Sequence, residues 1–123
     1  MVLRFVLRGL AGVLVLLAGC ATTDLPPSWA EGMATVRESE LPAEARETLR
    51  LIDAGGPFPY ERDGAVFGNF EGLLPRHERG YYREYTVRTP GSRDRGARRI
   101  VTGRHDETYY TDDHYDSFRA VLR

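Results

Sequence analysis

Residues 81–102 read YYREYTVRTPGSRDRGARRIVT, and how this stretch folds decides how the rest of the chain is arranged. Tyr81 to Thr89 is rich in aromatic and β-branched residues, which suits a half-buried strand. Pro90-Gly91 breaks that strand, and Ala97 to Thr102 supplies a returning one. A turn centred between Gly91 and Ser92 sets Glu84 opposite Arg99, and such cross-strand partners have Cβ atoms about 4.5–5.5 Å apart. Because side chains alternate along a strand, Tyr82, Glu84 and Thr86 share one face while Tyr85 and Val87 take the other. A carboxylate and a guanidinium are therefore expected to meet on one face of a sheet. Taken alone, an ordinary cross-strand ion pair has the same pattern and is weak when exposed.

Outward from this hairpin, two further short strands are expected near Tyr109-Tyr110 and from Phe118 to Leu122. Before it, Pro57-Phe58-Pro59-Tyr60 is extended or turning, Asp63-Gly64 is a turn signal, and Ala65-Val66-Phe67 starts a short strand. Earlier still the period changes. Ala45, Leu49 and Ile52 recur at helical spacing, Pro42 suits a first turn and Gly55-Gly56 suits a stop. This predicts one amphipathic helix from Pro42 to Ala54, with Ser39 or Leu41 as its cap. One main N-terminal helix packed on an antiparallel β-sheet is an α+β fold.

The first residues form a separate unit. Arg4 and Arg8 precede an apolar run from Leu10 to Leu17, the pattern of an export signal spanning 1–19. The run is shorter than the roughly 17 to 25 residues of a membrane-spanning helix. It ends in Leu17-Ala18-Gly19-Cys20, which resembles a bacterial lipobox, so Cys20 is the expected lipidation site. Residues 20–35 mix small, polar and proline residues without a period and are expected to be a tether. The folded domain is then 36–123. Cys20 is the only cysteine, so no internal disulfide holds that domain.

The formal net charge of the whole chain is -1, which does not suggest a general nucleic-acid binder. Its distribution is uneven. Between Arg83 and Arg104 stand seven arginines against Glu84 and Asp94, a segment able to attract an anion. The chain has no lysine, so arginine at any one position is not by itself a sign of phosphate binding. Of the three histidines, His77 and His105 lie in charged, loop-like segments and are expected to be solvated. His114 lies in Thr111-Asp112-Asp113-His114-Tyr115; the two carboxylates, if they approach its ring, would favour the protonated form.

From about Val36 to Leu122 the chain resembles the secreted guanyl-specific microbial ribonucleases, the barnase family. The resemblance runs in order through Leu41-Pro42-Ala43-Glu44-Ala45, Gly56-Pro57-Phe58-Pro59-Tyr60, Asp63-Gly64, Val66-Phe67 and Gly80-Tyr81-Tyr82. It continues through Glu84-Tyr85-Thr86-Val87, Thr89-Pro90-Gly91, Arg95-Gly96, Arg98-Arg99-Ile100 and Asp113-His114-Tyr115. It implies that Glu84 is the general base, His114 the general acid, and Arg95 and Arg99 the grip on the scissile phosphate. These residue types suit a substrate that carries its own nucleophile, the 2'-hydroxyl. The resemblance also places Phe67-Gly68-Asn69-Phe70-Glu71-Gly72 in a guanine-binding loop. There Glu71 would accept from the base, Asn69 would shape the loop, and Phe70, where relatives commonly have arginine, would stack. Tyr115 is assigned to the substrate side.

The expected protein is thus an exported, membrane-anchored lipoprotein facing the periplasm or the extracellular space. It acts as a monomeric endoribonuclease on single-stranded RNA, 3' of guanosine, through a 2',3'-cyclic phosphate and without cofactor or metal. A barstar-like inhibitor is an expected partner. The rival is a non-catalytic RNA-binding or interaction lipoprotein that keeps the ribonuclease fold.

Overall fold

A computed structural model of the protein describes residues 25–123, so the expected signal at 1–19 and the lipidation site Cys20 lie outside the described residues. The elements are β1 (Thr35–Arg37), α1 (Ala43–Ala54), β2 (Ala65–Phe67), β3 (Tyr82–Thr86), β4 (Arg99–Thr102), β5 (Thr108–Thr111) and β6 (Arg119–Leu122). Short 3-10 turns cover Ser28–Ala30 and Glu38–Glu40. The strands form one sheet in the order β1-β6-β5-β4-β3-β2, antiparallel except for the β1–β6 pair. This is the expected α+β layout.

The helix forms where its period lies. Ala45, Thr48 and Leu49 are its buried residues. Its end follows from Gly55, whose φ of 79° is open to glycine at little cost. The Gly55 and Gly56 amides then close on the carbonyls of Ile52 and Leu51. Its start differs from the expected cap. Pro42 is the N-cap and offers no side-chain bond, Ser39 sits in the preceding 3-10 turn, and Leu41 is buried in the core.

Alternation along the strands gives the sheet two apolar faces. Ile100, Tyr110 and Val121 meet Leu41, Ala45 and Leu49 under the helix. Val101, Tyr109, Tyr82 and Ala120 point to the other face, where Leu74, Ala30 and the partly buried Trp29, Met33, Phe67 and Phe118 pack on them. The expected tether therefore needs correction. Within it Trp29, Ala30 and Met33 pack on the sheet, with Ala30 only 1% exposed and the Trp29 ring edge-on to Tyr109 at 5.3 Å. Without this segment that side of the sheet would stand open, and burying an apolar side chain gives about 1.5–3 kcal/mol.

The decisive hairpin has the expected strands in a shifted register. Thr86, not Glu84, faces Arg99, and Glu84 faces Val101. Pro90-Gly91 does turn the chain, with the Ser92 amide donating to the Thr89 carbonyl. The return strand is then delayed. The Asp94 carboxylate accepts from the Ser92 hydroxyl and the Gly96 amide, adding a second small loop. The shift of two residues preserves parity, so Arg99 still shares a face with Glu84.

Candidate active site

The face of the sheet away from the helix carries Glu84 and Thr86 on β3 and Arg99 on β4. Glu84 and Arg99 are almost wholly buried, at 6% and 2% exposure, so their charges must be met by nearby groups. The expected direct Glu84–Arg99 pairing is replaced by a relay. The Tyr115 hydroxyl donates to Glu84 Oε1 at 2.8 Å and accepts from Arg99 Nε at 3.1 Å. Arg95 reaches in from the added loop, with Nη2 3.4 Å from the same Glu84 oxygen and Nε 3.1 Å from Thr86 Oγ1. The other side of the Arg99 guanidinium is held by backbone carbonyls, with Nη1 donating to Arg98 at 2.7 Å and Gly96 at 3.0 Å. Two guanidinium groups are thus fixed beside one carboxylate before any ligand arrives, the preorganisation that electrostatic catalysis needs.

Tyr115 and its neighbour His114 belong to a turn after β5 in which both have positive φ, 74° and 56°. For non-glycine residues this conformation costs of order 1–3 kcal/mol and must be imposed by surroundings. Here the Tyr115 amide donates to Thr111 Oγ1, the His114 amide donates to the Ala97 carbonyl, and Asp113 accepts from the Ser117 amide and hydroxyl. The result aims the Tyr115 ring into the site, stacked on Phe67 at 5.3 Å. Burial and the hydrogen bond to Glu84 push the Tyr115 hydroxyl above its ordinary pKa, which keeps it protonated and a donor at neutral pH.

His114 is exposed, its ring 4.8 Å from the Tyr115 ring in an edge-on arrangement. The two carboxylates before it in sequence are bound to other groups. Asp113 is engaged by Thr111 and Ser117, and Asp112 by Arg119 at 3.5 Å. His77 and His105 are exposed as expected, although His77 also stacks on Tyr81 at 3.7 Å.

From Glu84 and Tyr115 a cleft of about 390 Å³ extends to the loop after β2, where Asn69, Phe70 and Glu71 line it. Asn69, at φ 52°, ties this loop together, its side-chain amide donating to the Leu74 carbonyl and its oxygen accepting from the Leu74 amide. Glu71 and Phe70 are exposed toward solvent. Of the expected residues, Glu84, Tyr115, Asn69, Phe70 and Glu71 line the cleft; Arg95 and Arg99 bind their partners from beside it, and His114 stands next to Tyr115 outside the lining. Phe67, at the start of the loop that the resemblance marks, also lines it, as do Arg62 and Arg79, which sequence reasoning missed. The alternation that marks Glu84 also marks Phe67, since Ala65 faces Glu84 and Phe67 faces Tyr82. The two arginines lie in loops, where no period exists to mark them.

Such a cleft offers a buried carboxylate, fixed cations and, at its other end, an exposed carboxylate on a shaped loop. A family model described as ribonuclease matches residues 26–122. Guanyl-specific ribonuclease Sa3 of Kitasatospora aureofaciens is 67% identical over 84 residues, covering 68% of this chain and 60% of that protein. Guanyl-specific ribonuclease St of Saccharopolyspora erythraea is 52% identical over 99 residues, covering 80% of this chain and 98% of the relative. Among solved structures, ribonuclease Sa2 in complexes with mononucleotides superposes with a TM-score of 0.74 at 50% identity, covering 75% of this chain and 96% of that one. Ribonuclease Sa2 with guanosine-2'-cyclophosphate gives 0.72 at 49% identity, with 74% and 97% covered.

Proposed function

The chain belongs to the ribonuclease family, and from that premise we propose that it is a guanine-preferring endoribonuclease that cleaves single-stranded RNA 3' of guanosine. The observation that carries the reading is the Glu84–Tyr115–Arg99 relay with Arg95, set at one end of a cleft whose other end is the Asn69–Glu71 loop.

Glu84 takes the proton of the guanosine 2'-hydroxyl, whose oxygen attacks the adjacent phosphorus. Arg95 and Arg99 stabilise the added negative charge of the pentavalent phosphorane. His114 gives a proton to the departing 5'-oxygen, leaving a 2',3'-cyclic phosphate. Water then opens this ring with the two proton carriers in reversed roles. The nucleophile is the substrate's own hydroxyl, so the residues named supply both proton transfers and the charge stabilisation. Glu71 accepts from the N1 and N2 hydrogens of guanine, and Asn69 holds the loop in the shape that allows it.

The test uses the purified protein and guanylyl-3',5'-cytidine in EDTA, with Glu84→Ala and His114→Ala beside it. Guanosine 2',3'-cyclic phosphate is expected from the parent, and a loss of about a hundredfold or more from each variant. Binding of the dinucleotide without any cyclic product would support the non-catalytic RNA-binding reading instead.

The same proposal includes export and anchoring through Cys20, supported by the arginines at 4 and 8, the apolar run and the Leu17-Ala18-Gly19-Cys20 sequence. Labelling of the protein by a radioactive fatty acid, abolished in Cys20→Ser, is the expected result. It further includes action as a monomer and recognition by a barstar-like inhibitor, for which an exported ribonuclease gives a reason, since RNA inside the producing cell needs protection.

A further inference from the structure

Of the two proton carriers in the proposed reaction, Glu84 is buried and bonded to Tyr115 and Arg95. His114 is exposed, its aromatic neighbour is the edge of Tyr115 at 4.8 Å, and no side chain of the described residues hydrogen-bonds its ring. A general acid works only when its proton points at the departing atom, and a misplacement of about 1 Å can cost a hundredfold. The aim of this imidazole is therefore set by its backbone.

That backbone has φ 56° at His114 and 74° at Tyr115, and it is pinned from two sides. The His114 amide donates to the Ala97 carbonyl at 2.9 Å, inside the segment that carries Arg95 and Arg99. The other pin is Asp113. Its Oδ1 accepts from Thr111 Oγ1 at 2.8 Å and from the Ser117 amide at 2.9 Å, while Oδ2 accepts from the Ser117 hydroxyl. Thr111 is 1% exposed, faces Arg99 across the sheet, and takes the Asp113 and Tyr115 amides on its hydroxyl oxygen at 3.4 and 3.2 Å. One carboxylate thus ties both flanks of the His114 turn to a strand position beside Arg99. The hydrogen bond from Ser117 holds the Asp113 carboxyl below its ordinary pKa, so it is charged at neutral pH and its bonds are the strong, charge-assisted kind. Tyr115 has anchors of its own, the stack on Phe67 at 5.3 Å and the bonds of its hydroxyl to Glu84 and Arg99. His114 has none beyond the turn.

We propose that Asp113 is the positioning residue of the general acid, clasping Thr111 and Ser117 so that His114 is aimed at the departing 5'-oxygen, and that it serves this half of the reaction rather than the half carried by Glu84. The inference rests on the ribonuclease reading given above and deepens it. The test compares two esters. In guanylyl-3',5'-cytidine (GpC) the cytidine 5'-oxygen must take a proton from His114 as its bond to phosphorus breaks. In guanosine 3'-(4-nitrophenyl phosphate) the 2'-oxygen attacks in the same way and gives its proton to Glu84, but nitrophenolate departs with the electron pair and needs no acid. In Asp113→Ala, kcat/KM for GpC is expected to fall about tenfold to a hundredfold and that for the nitrophenyl ester less than about threefold. Ser117→Ala shows a severalfold loss in the same direction, and Asp113→Asn, which keeps one acceptor oxygen, recovers part of the activity on GpC. In the double variant with His114→Ala, GpC is cleaved no more slowly than by His114→Ala alone, because the group being aimed is already gone. Cleavage of the nitrophenyl ester reports that each variant is folded with its base in place. Asp113→Ala and Ser117→Ala proteins that keep the parental ratio of the two esters, whether both rates fall together or neither does, overturn the inference, as does a double variant that adds the two losses in full. An Asp113→Ala protein that fails to fold leaves the decision to Ser117→Ala, whose side chain is exposed. A parent that cleaves neither ester overturns the ribonuclease reading itself, and this inference with it.

Discussion

Tyr115 carries two obligations at once, since its one hydroxyl serves both the buried carboxylate of Glu84 and the buried guanidinium of Arg99. Replacing it by phenylalanine keeps the stack on Phe67 and removes only the oxygen. Arg99 Nε and one Glu84 lone pair then lose their partner inside the fold, at a cost of about 1–3 kcal/mol. Tyr115→Phe is therefore expected to lower the urea midpoint and to reduce kcat/KM for GpC about tenfold; parental values for both would show that the relay is idle. Glu71 is the opposite case, an exposed carboxylate with no structural duty among the contacts described. Glu71→Gln is expected to leave stability unchanged and to shrink the preference for GpC over ApC by roughly 1–3 kcal/mol, the scale of one good bidentate base contact. At this scale the sequence was legible where a residue type and its strand face act together, as for Glu84 and Arg99. The relay through Tyr115 was not, because a turn with two positive φ values leaves no periodic mark.

Elements were legible in proportion to how local their cause is. Helix α1 announces itself through Ala45, Leu49, Ile52 and Gly55, all within one twelve-residue span and its cap. Strand β1 has no such announcement. It is three residues long, mostly exposed, and exists because it pairs in parallel with β6 near the other end of the chain. The β3–β4 register lies between these cases, since Pro90-Gly91 fixed the turn but Asp94 added a loop through side-chain bonds that turn rules do not count. That loop delivers Arg95 to Glu84, and Gly96 within it has φ 65° with room for no Cβ, since one would lie 2.5 Å from Thr89 Oγ1. Gly96→Ala is expected to displace the loop and cut activity more than stability, read by GpC cleavage beside urea unfolding. For the helix the order reverses. Leu49 is 1% exposed beneath the sheet, so Leu49→Ala is expected to cost about 2–5 kcal/mol of unfolding free energy without touching the site.

The whole molecule is a sheet covered on both sides, and its two covers differ in kind. The helix side is one continuous element, clamped at its rim where Arg123 reaches Glu38 at 2.5 Å and Asp53 at 2.9 Å. The hydrogen bond from Arg123 holds the Asp53 carboxyl below its ordinary value of 3.8. A lowered pKa means that the stabilisation is complete above the unfolded value and is lost as pH falls through the folded one. The clamp is half exposed, so its share is under about 1 kcal/mol, and Arg123→Gln should differ from the parent at neutral pH and converge with it as acid protonates the folded Asp53 carboxyl. The other cover is assembled from pieces, and its first piece is the segment whose composition reads as a tether. Proline and small polar residues have no period, yet Trp29 places an indole against Tyr109 on the sheet face that also carries Glu84. Trp29 is only partly buried, so Trp29→Ala is expected to cost about 2 kcal/mol, below the 3–5 kcal/mol typical of a fully buried aromatic. The loss should appear as a lower urea midpoint with an unchanged slope, because the fold persists with less surface matched. A Trp29→Ala protein as stable as the parent would mean that the domain does begin after this segment, and that the packing seen against Tyr109 contributes nothing to holding the sheet.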